Sequence, residues 1–120
     1  MIEEINKQIQ NLITHEVGEV GQDFSLGKFH GIGWIQYPEG SDLVPSDYPL
    51  IALKKYEKSV NLYAYLWDTD PEYYKHLESI FGKSAMGKSC IRIKKLNHER
   101  IQAIVDILNR LKQDAILLNL

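Results

Sequence analysis

Residues Gly82–Ser89 read GKSAMGKS, which fits G-x-x-x-x-G-K-[ST] letter for letter, the spacing of the loop that cradles nucleotide phosphates. Such a loop follows a strand and opens a helix, so that backbone N–H groups and the helix dipole converge on the phosphate. Here the neighbours stand in the opposite order. Upstream, Asp70-Pro71-Glu72 is a helix start, with an aspartate cap, a proline at the first helical position and an acid favourable to the dipole. Tyr73, Tyr74, Leu77, Ile80 and Phe81 then recur on one face, and Gly82 stands where a left-handed C-terminal residue belongs. Downstream, Cys90–Lys94 (CIRIK) alternates as a strand, with Ile91 and Ile93 inward and Arg92 and Lys94 outward. Helix, loop, strand is the wrong order for a phosphate loop. The match is a coincidence of spacing, and a nucleotide-hydrolysing α/β fold is not expected.

Working outward, Leu50–Tyr56 and Ser59–Leu66 read as a hairpin turning at Glu57-Lys58. Its second strand places Val60, Leu62, Ala64 and Leu66 on one face and Asn61, Tyr63 and Tyr65 on the other. Lys28–Tyr37 (KFHGIGWIQY) reads as a strand with Phe29, Gly31, Gly33, Ile35 and Tyr37 on one face and His30, Ile32, Trp34 and Gln36 opposite. Its glycines mark a bulge or a close backbone approach. Pro38–Pro49 is a loop by composition, and Val20–Leu26 reads as irregular. Ile2, Ile5, Ile9, Leu12, Ile13 and Val17 recur at helical spacing and stop at Gly18. Asn97 caps a last helix carrying Ile101, Ile104, Val105, Leu108 and Leu111. The order helix, strand, hairpin, helix, strand, helix predicts one α+β domain over residues 1–120. Three helices pack on a mainly antiparallel sheet of about four strands.

The 120 residues are 44% hydrophobic and 25% charged, as in an ordinary globular domain. The lone cysteine, Cys90, permits no internal disulfide and suits a reducing cytoplasm. The N-terminus lacks the basic and apolar regions of a signal peptide, and no apolar run is long enough to span a bilayer. The net charge of −2 is unevenly spread. Residues 1–82 hold six Lys/Arg against thirteen Asp/Glu, and residues 83–120 hold eight against three. The ordinary reading is that the two parts attract each other or face water separately, and overall acidity argues against a dedicated nucleic-acid binder.

Two groups of residues carry candidate chemistry. Lys83, Ser84, Lys88 and Ser89 can hold an anion without hydrolysing it, or form a solvated turn. Trp34, Tyr37, Tyr63 and Tyr65, with His30, either line a groove for a small planar ligand or pack under the 38–49 loop. No catalytic spacing is visible: Cys90 sits between apolar neighbours, and the four histidines form no zinc-ligand pair. The chain is therefore read as non-enzymatic. The apolar tail AILLNL, Ala115–Leu120, docks on the body or contributes to a homodimer contact.

The run FGKSAMGKSCIRIKKLNHERIQAIVDIL resembles the C-terminal signature of the YdhG-like family of small bacterial domains, domain of unknown function 1801. Gly82, Lys83, Gly87, Lys88, Ser89, Cys90, Ile91, Ile93, Lys94 and Leu96 carry the likeness. Upstream, GIGWIQY and the Pro-Leu hairpin YPLIALKKYEKSVNLYAY are similar to the family's strands, so the match runs from about Gly31 to Leu108. The resemblance implies a compact α+β domain, and some relatives are proposed frataxin-like iron chaperones. Iron is thus the one metal the resemblance suggests, as cargo on hard ligands for which this sequence offers His15, Glu16 and Glu19, although Gly18 interrupts the helical face that Glu16 and Glu19 would share. No resident cofactor is expected. The partners expected are a small molecule or anion and a second copy of the chain, with no nucleic acid and no membrane.

Overall fold

A computed structural model describes residues 1–26, 28–36, 49–64, 66–67 and 69–117, with the backbone alone for 26, 36 and 114–117. Tyr37, Tyr65, most of the 38–49 loop and the last three residues of the tail lie outside the described residues.

Helix α1, Ile2–Val17, buries Ile5, Ile9 and Ile13, one residue per turn, and leaves its polar face to water. It ends where expected: Gly18 takes φ 82°, ψ 16°, and its N–H donates to the Thr14 carbonyl at 2.9 Å. The chain then departs from the irregular segment predicted over Val20–Leu26. Gln22–Leu26 is a strand, β1, antiparallel to β2, Phe29–Gln36. As a polar edge strand it buries little, so its alternation was too weak to read. The sheet therefore has five strands rather than about four. It continues through β3 (Pro49–Lys55), β4 (Val60–Ala64) and β5 (Cys90–Ile93), in order β1-β2-β3-β4-β5 with every pair antiparallel.

Ladder register decides which side chains share a face, because a one-residue slip inverts both faces. Trp34, Ile51 and Ala64 stand in one cross-strand row, and Ile32, Leu53, Leu62 and Ile91 in the next. These rows face the helices and give the sheet's share of the core, which Ile5, Ile9 and Ile13 of the first helix complete from the other side. Ile35 takes φ 52°, uncommon for a β-branched residue, and the ladder pairs around it, Trp34 with Ile51 and Gln36 with Pro49.

Helix α2, Pro71–Phe81, starts at Asp70, whose carboxylate accepts from the Tyr73 N–H at 3.1 Å, and buries Tyr73, Leu77 and Phe81. Its stop differs in kind from the left-handed cap expected. Gly82 has φ 99° but ψ 150°, an extended positive-φ conformation that glycine adopts without strain. It turns the chain into a short 3-10 segment, Lys83–Ala85, before β5. Helix α3, His98–Leu117, is capped as predicted: the Arg100 N–H donates to Asn97 Oδ1 at 2.8 Å. On α3, Asp106 accepts from the Tyr73 hydroxyl at 2.9 Å and from Arg110 Nε at 3.1 Å, while the Arg110 guanidinium stacks 3.9 Å from the Tyr73 ring centroid. This contact joins α2 to α3. Lys112 Nζ donates to the Glu16 carbonyl at 2.9 Å and joins α3 to α1.

Candidate anion-binding site

The loop that opened the question is held by its own chain. The Gly87 N–H donates to the Cys90 carbonyl at 2.8 Å, and the Gly87 carbonyl accepts from Trp67 Nε1 at 3.1 Å. The Ala85 N–H donates to the Gly82 carbonyl at 3.2 Å, and the Ser89 carbonyl accepts from the Ala64 N–H at 3.0 Å. The helix lies before this loop and the strand after it, so no helix N-terminus aims at the loop, and the Gly87 N–H is already spent.

Of the four loop residues read as anion ligands, the structure brings only Ser84 into a cationic cleft. Ser84 and Ala85 form one wall, Arg92 on β5 and Lys94 just after it another, and Lys95, Arg100 and Phe81 complete a cavity of about 340 Å³. Arg92 Nη1 donates to the Ser84 carbonyl at 3.1 Å. Arg100 is fixed by two carbonyls, Nε to Ile80 at 3.3 Å and Nη1 to Lys95 at 2.8 Å, and its guanidinium lies 5.8 Å from the Phe81 ring centroid. Four cations thus line the cleft, with no acidic residue among the described residues of its lining. Among the described residues none of the four is in an ion pair. Lys83 and Lys88 are exposed and lie outside this lining. Two arginines held in place by three donated bonds, together with two lysines, suit an oxyanion, since guanidinium supplies a fixed fork and ammonium a point charge. Sequence reasoning missed Arg92, Lys94, Lys95 and Arg100 as a group. The signal was there in the outward face of CIRIK, but the cleft forms only when α3 folds back past β5.

The aromatic group divides. Trp34 is 1% exposed on the helix side, its Nε1 3.4 Å from Thr14 Oγ1. His30 shares that side of β2 at the exposed end, against Ser25 Oγ. Tyr63 is on the other face, in the row Gln22, Gly33, Ala52, Tyr63, Cys90. Its companions are residues not singled out from the sequence. The Phe29 ring meets it edge-on at 5.0 Å, and the Tyr56 hydroxyl is 3.1 Å from its own. Burial, and then the Tyr56 hydroxyl, push the Tyr63 phenol well above its ordinary range. Lys54 Nζ lies 5.4 Å from the Phe29 ring centroid and 4.8 Å from that of Tyr56.

The three candidate metal ligands separate. His15 lines an apolar groove between α1 and α3 with Leu12, Ile101 and Ile104; Glu16 Oε2 is 4.0 Å from Lys112 Nζ; Glu19 lines a different hollow beside Phe24 and Pro49. Among the described residues no three His, Cys, Asp or Glu side chains converge to hold a metal ion. Among the described residues no helix is long and apolar enough to cross a membrane. Compared with protein-family models, curated proteins and solved structures, the chain matches none.

Proposed function

We propose that this chain is a non-catalytic binding domain that holds an oxyanion, phosphate being the simplest, in the cleft between β5 and the start of α3. One observation carries the reading: Arg92, Lys94, Lys95 and Arg100 line a cavity of about 340 Å³ that has no carboxylate among its described residues. Four like charges brought together without a counter-charge repel one another, and a bound anion removes that cost. The Gly82–Leu96 motif supports membership of the YdhG-like family, and the lone cysteine suits an intracellular setting. The test is a titration of isotope-labelled protein with inorganic phosphate and then pyrophosphate, followed in amide and arginine side-chain NMR spectra. Saturable shifts confined to Ser84, Arg92, Lys94, Lys95 and Arg100, lost in the double variant Arg92→Gln/Lys94→Gln, are expected. Shifts that grow linearly with anion and equal those given by chloride refute it.

A further inference from the structure

Beyond the cleft, the cations continue across the sheet. Lys54 on β3 pairs with Asn61 on β4, and Asn61 pairs with Arg92 on β5, so the three side chains form one row on the face away from the helices. With strands about 4.8 Å apart, that row carries positive charge roughly 10 Å from Arg92 across to β3. Arg92 belongs to both row and cleft, which makes five cations continuous: Lys54, Arg92, Lys94, Lys95 and Arg100. That is more charge, over more length, than one phosphate needs.

The same face carries rings. Phe29 and Tyr56 flank Lys54, Tyr63 touches both of them, and Tyr56 is 40% exposed. Asn61 between the cations is held by Ser59 Oγ at 2.9 Å and by the Tyr63 hydroxyl at 3.5 Å. β3 is buried on both faces over Pro49–Leu53 and becomes accessible only from Lys54 onward, so on this strand the accessible part is the charged part. On the strands, the described residues of this face include no Asp or Glu. The carboxylates in ion pairs, Glu3, Glu16 and Asp106, all belong to α1 and α3 on the other side of the sheet.

Spaced cations interleaved with rings, on a sheet face free of acids, complement a polymer that carries spaced phosphates and flat bases. We infer that this face binds single-stranded nucleic acid, its backbone following Lys54, Arg92 and the cleft and its bases stacking on Phe29 and Tyr56. The inference rests on the anion-binding reading of the cleft and extends it. It departs from the expectation that net acidity excludes such a partner, because the charge is segregated by face.

The experiment is fluorescence anisotropy with a labelled ten-nucleotide oligothymidylate between 50 and 200 mM salt, beside the phosphate titration. With three to five phosphates neutralised, log K should fall against log salt with a slope of about −2 to −3.5. Lys54→Gln and Arg92→Gln should each make that slope shallower by about 0.7. Tyr56→Ala and Phe29→Leu should each weaken binding about tenfold and leave the slope unchanged. Tyr56→Trp keeps a ring, and its retained affinity shows that the loss is stacking rather than misfolding. Phosphate shifts at the cleft with no oligonucleotide binding overturn this inference and leave the anion reading standing; absence of both overturns both. A duplex of equal length bound as tightly as the single strand overturns it, since the rings would then be idle. So does a dimer that dissociates on Tyr56→Ala, because a second copy would occupy the face.

Discussion

Replacing Trp67 by phenylalanine tests how the Gly82–Ser89 loop is fastened to the body. Trp67 is 1% exposed, and its indole N–H donates to the Gly87 carbonyl at 3.1 Å. Phenylalanine removes the donor and part of the ring. A carbonyl deprived of its partner costs about 1–3 kcal/mol. Gly87 is only half-buried, so water reaches it and the lower end, about 1–1.5 kcal/mol, applies. Full truncation of a buried Trp costs about 3–5 kcal/mol, and the smaller change to Phe is given about 1 kcal/mol of that. The total is about 2–2.5 kcal/mol. Trp34 provides the internal control. It is equally buried, but its Nε1 is 3.4 Å from Thr14 Oγ1, too long for a strong bond. Trp34→Phe therefore loses packing alone, about 1 kcal/mol. Urea unfolding followed by far-ultraviolet circular dichroism should rank Trp67→Phe below Trp34→Phe by about 1 kcal/mol, or roughly 4 °C in Tm. Equal losses, or the reverse order, would refute the claim that the indole bond pins the loop.

Three further expectations concern other joints. Gly82→Ala should cost about 1–3 kcal/mol, because φ 99° with ψ 150° is open in practice to glycine alone; Gly18→Ala, in the left-handed helical region, should cost about 1 kcal/mol. Nothing stands within 4 Å of a Cβ at either position, so thermal melts of the two variants compare backbone strain alone, and equal losses contradict the assignment. Tyr73→Phe and Asp106→Asn should each cost about 1 kcal/mol, and a double-mutant cycle by urea unfolding should give a coupling of at least about 0.5 kcal/mol; strict additivity would show that the 2.9 Å bond contributes nothing. Tyr63 and Tyr73 are both raised above 10, chiefly by burial, and then by the Tyr56 and Asp106 hydrogen bonds respectively. Because the folded values are the higher ones, their contribution to stability is complete below pH 10 and is lost as pH rises beyond it. An absorbance titration at 295 nm should show these two phenols ionising only with unfolding. All tyrosines titrating together near pH 10 in a folded protein would contradict that.

What could be read from the sequence was local. Asp70-Pro71-Glu72 and Asn97 announce helices because a cap is completed within three residues, and both caps are made as read. CIRIK shows its two faces by alternation alone. Gln22–Leu26 was missed because an edge strand needs little apolar content, and its pairing partner lies outside any window of periodicity. Gly82 was recognised as a stop, but its ψ depends on where the 3-10 segment must go. The aromatic grouping failed for a similar reason. Trp34 and Tyr63 fall on opposite faces because Trp34 pairs with Ile51 and Tyr63 with Ala52, one residue apart on β3.

The site itself was hidden by the same arithmetic of register. Lys54, Asn61 and Arg92 are far apart in the chain, and only two consecutive antiparallel ladders bring them into one row. The charge division was legible, but its consequence was not. If the acidic first part and the basic last part served to neutralise each other, ion pairs should cross between them. Among the described residues one does, Lys112 with Glu16 at 4.0 Å. Lys55 pairs with Glu3 within the first part, and Arg110 with Asp106 within the last. Among the described residues, Arg92, Lys94, Lys95 and Arg100 therefore have no carboxylate ion pair to compensate their charge, around a shared cavity. Solvated surface cations spread apart when free to do so, because like charges in proximity raise the energy of both. These four are set close by β5 and by Arg100's hydrogen bonds to two carbonyls. The fold holds them together against their mutual repulsion, and an anion in the cleft is what would relieve it.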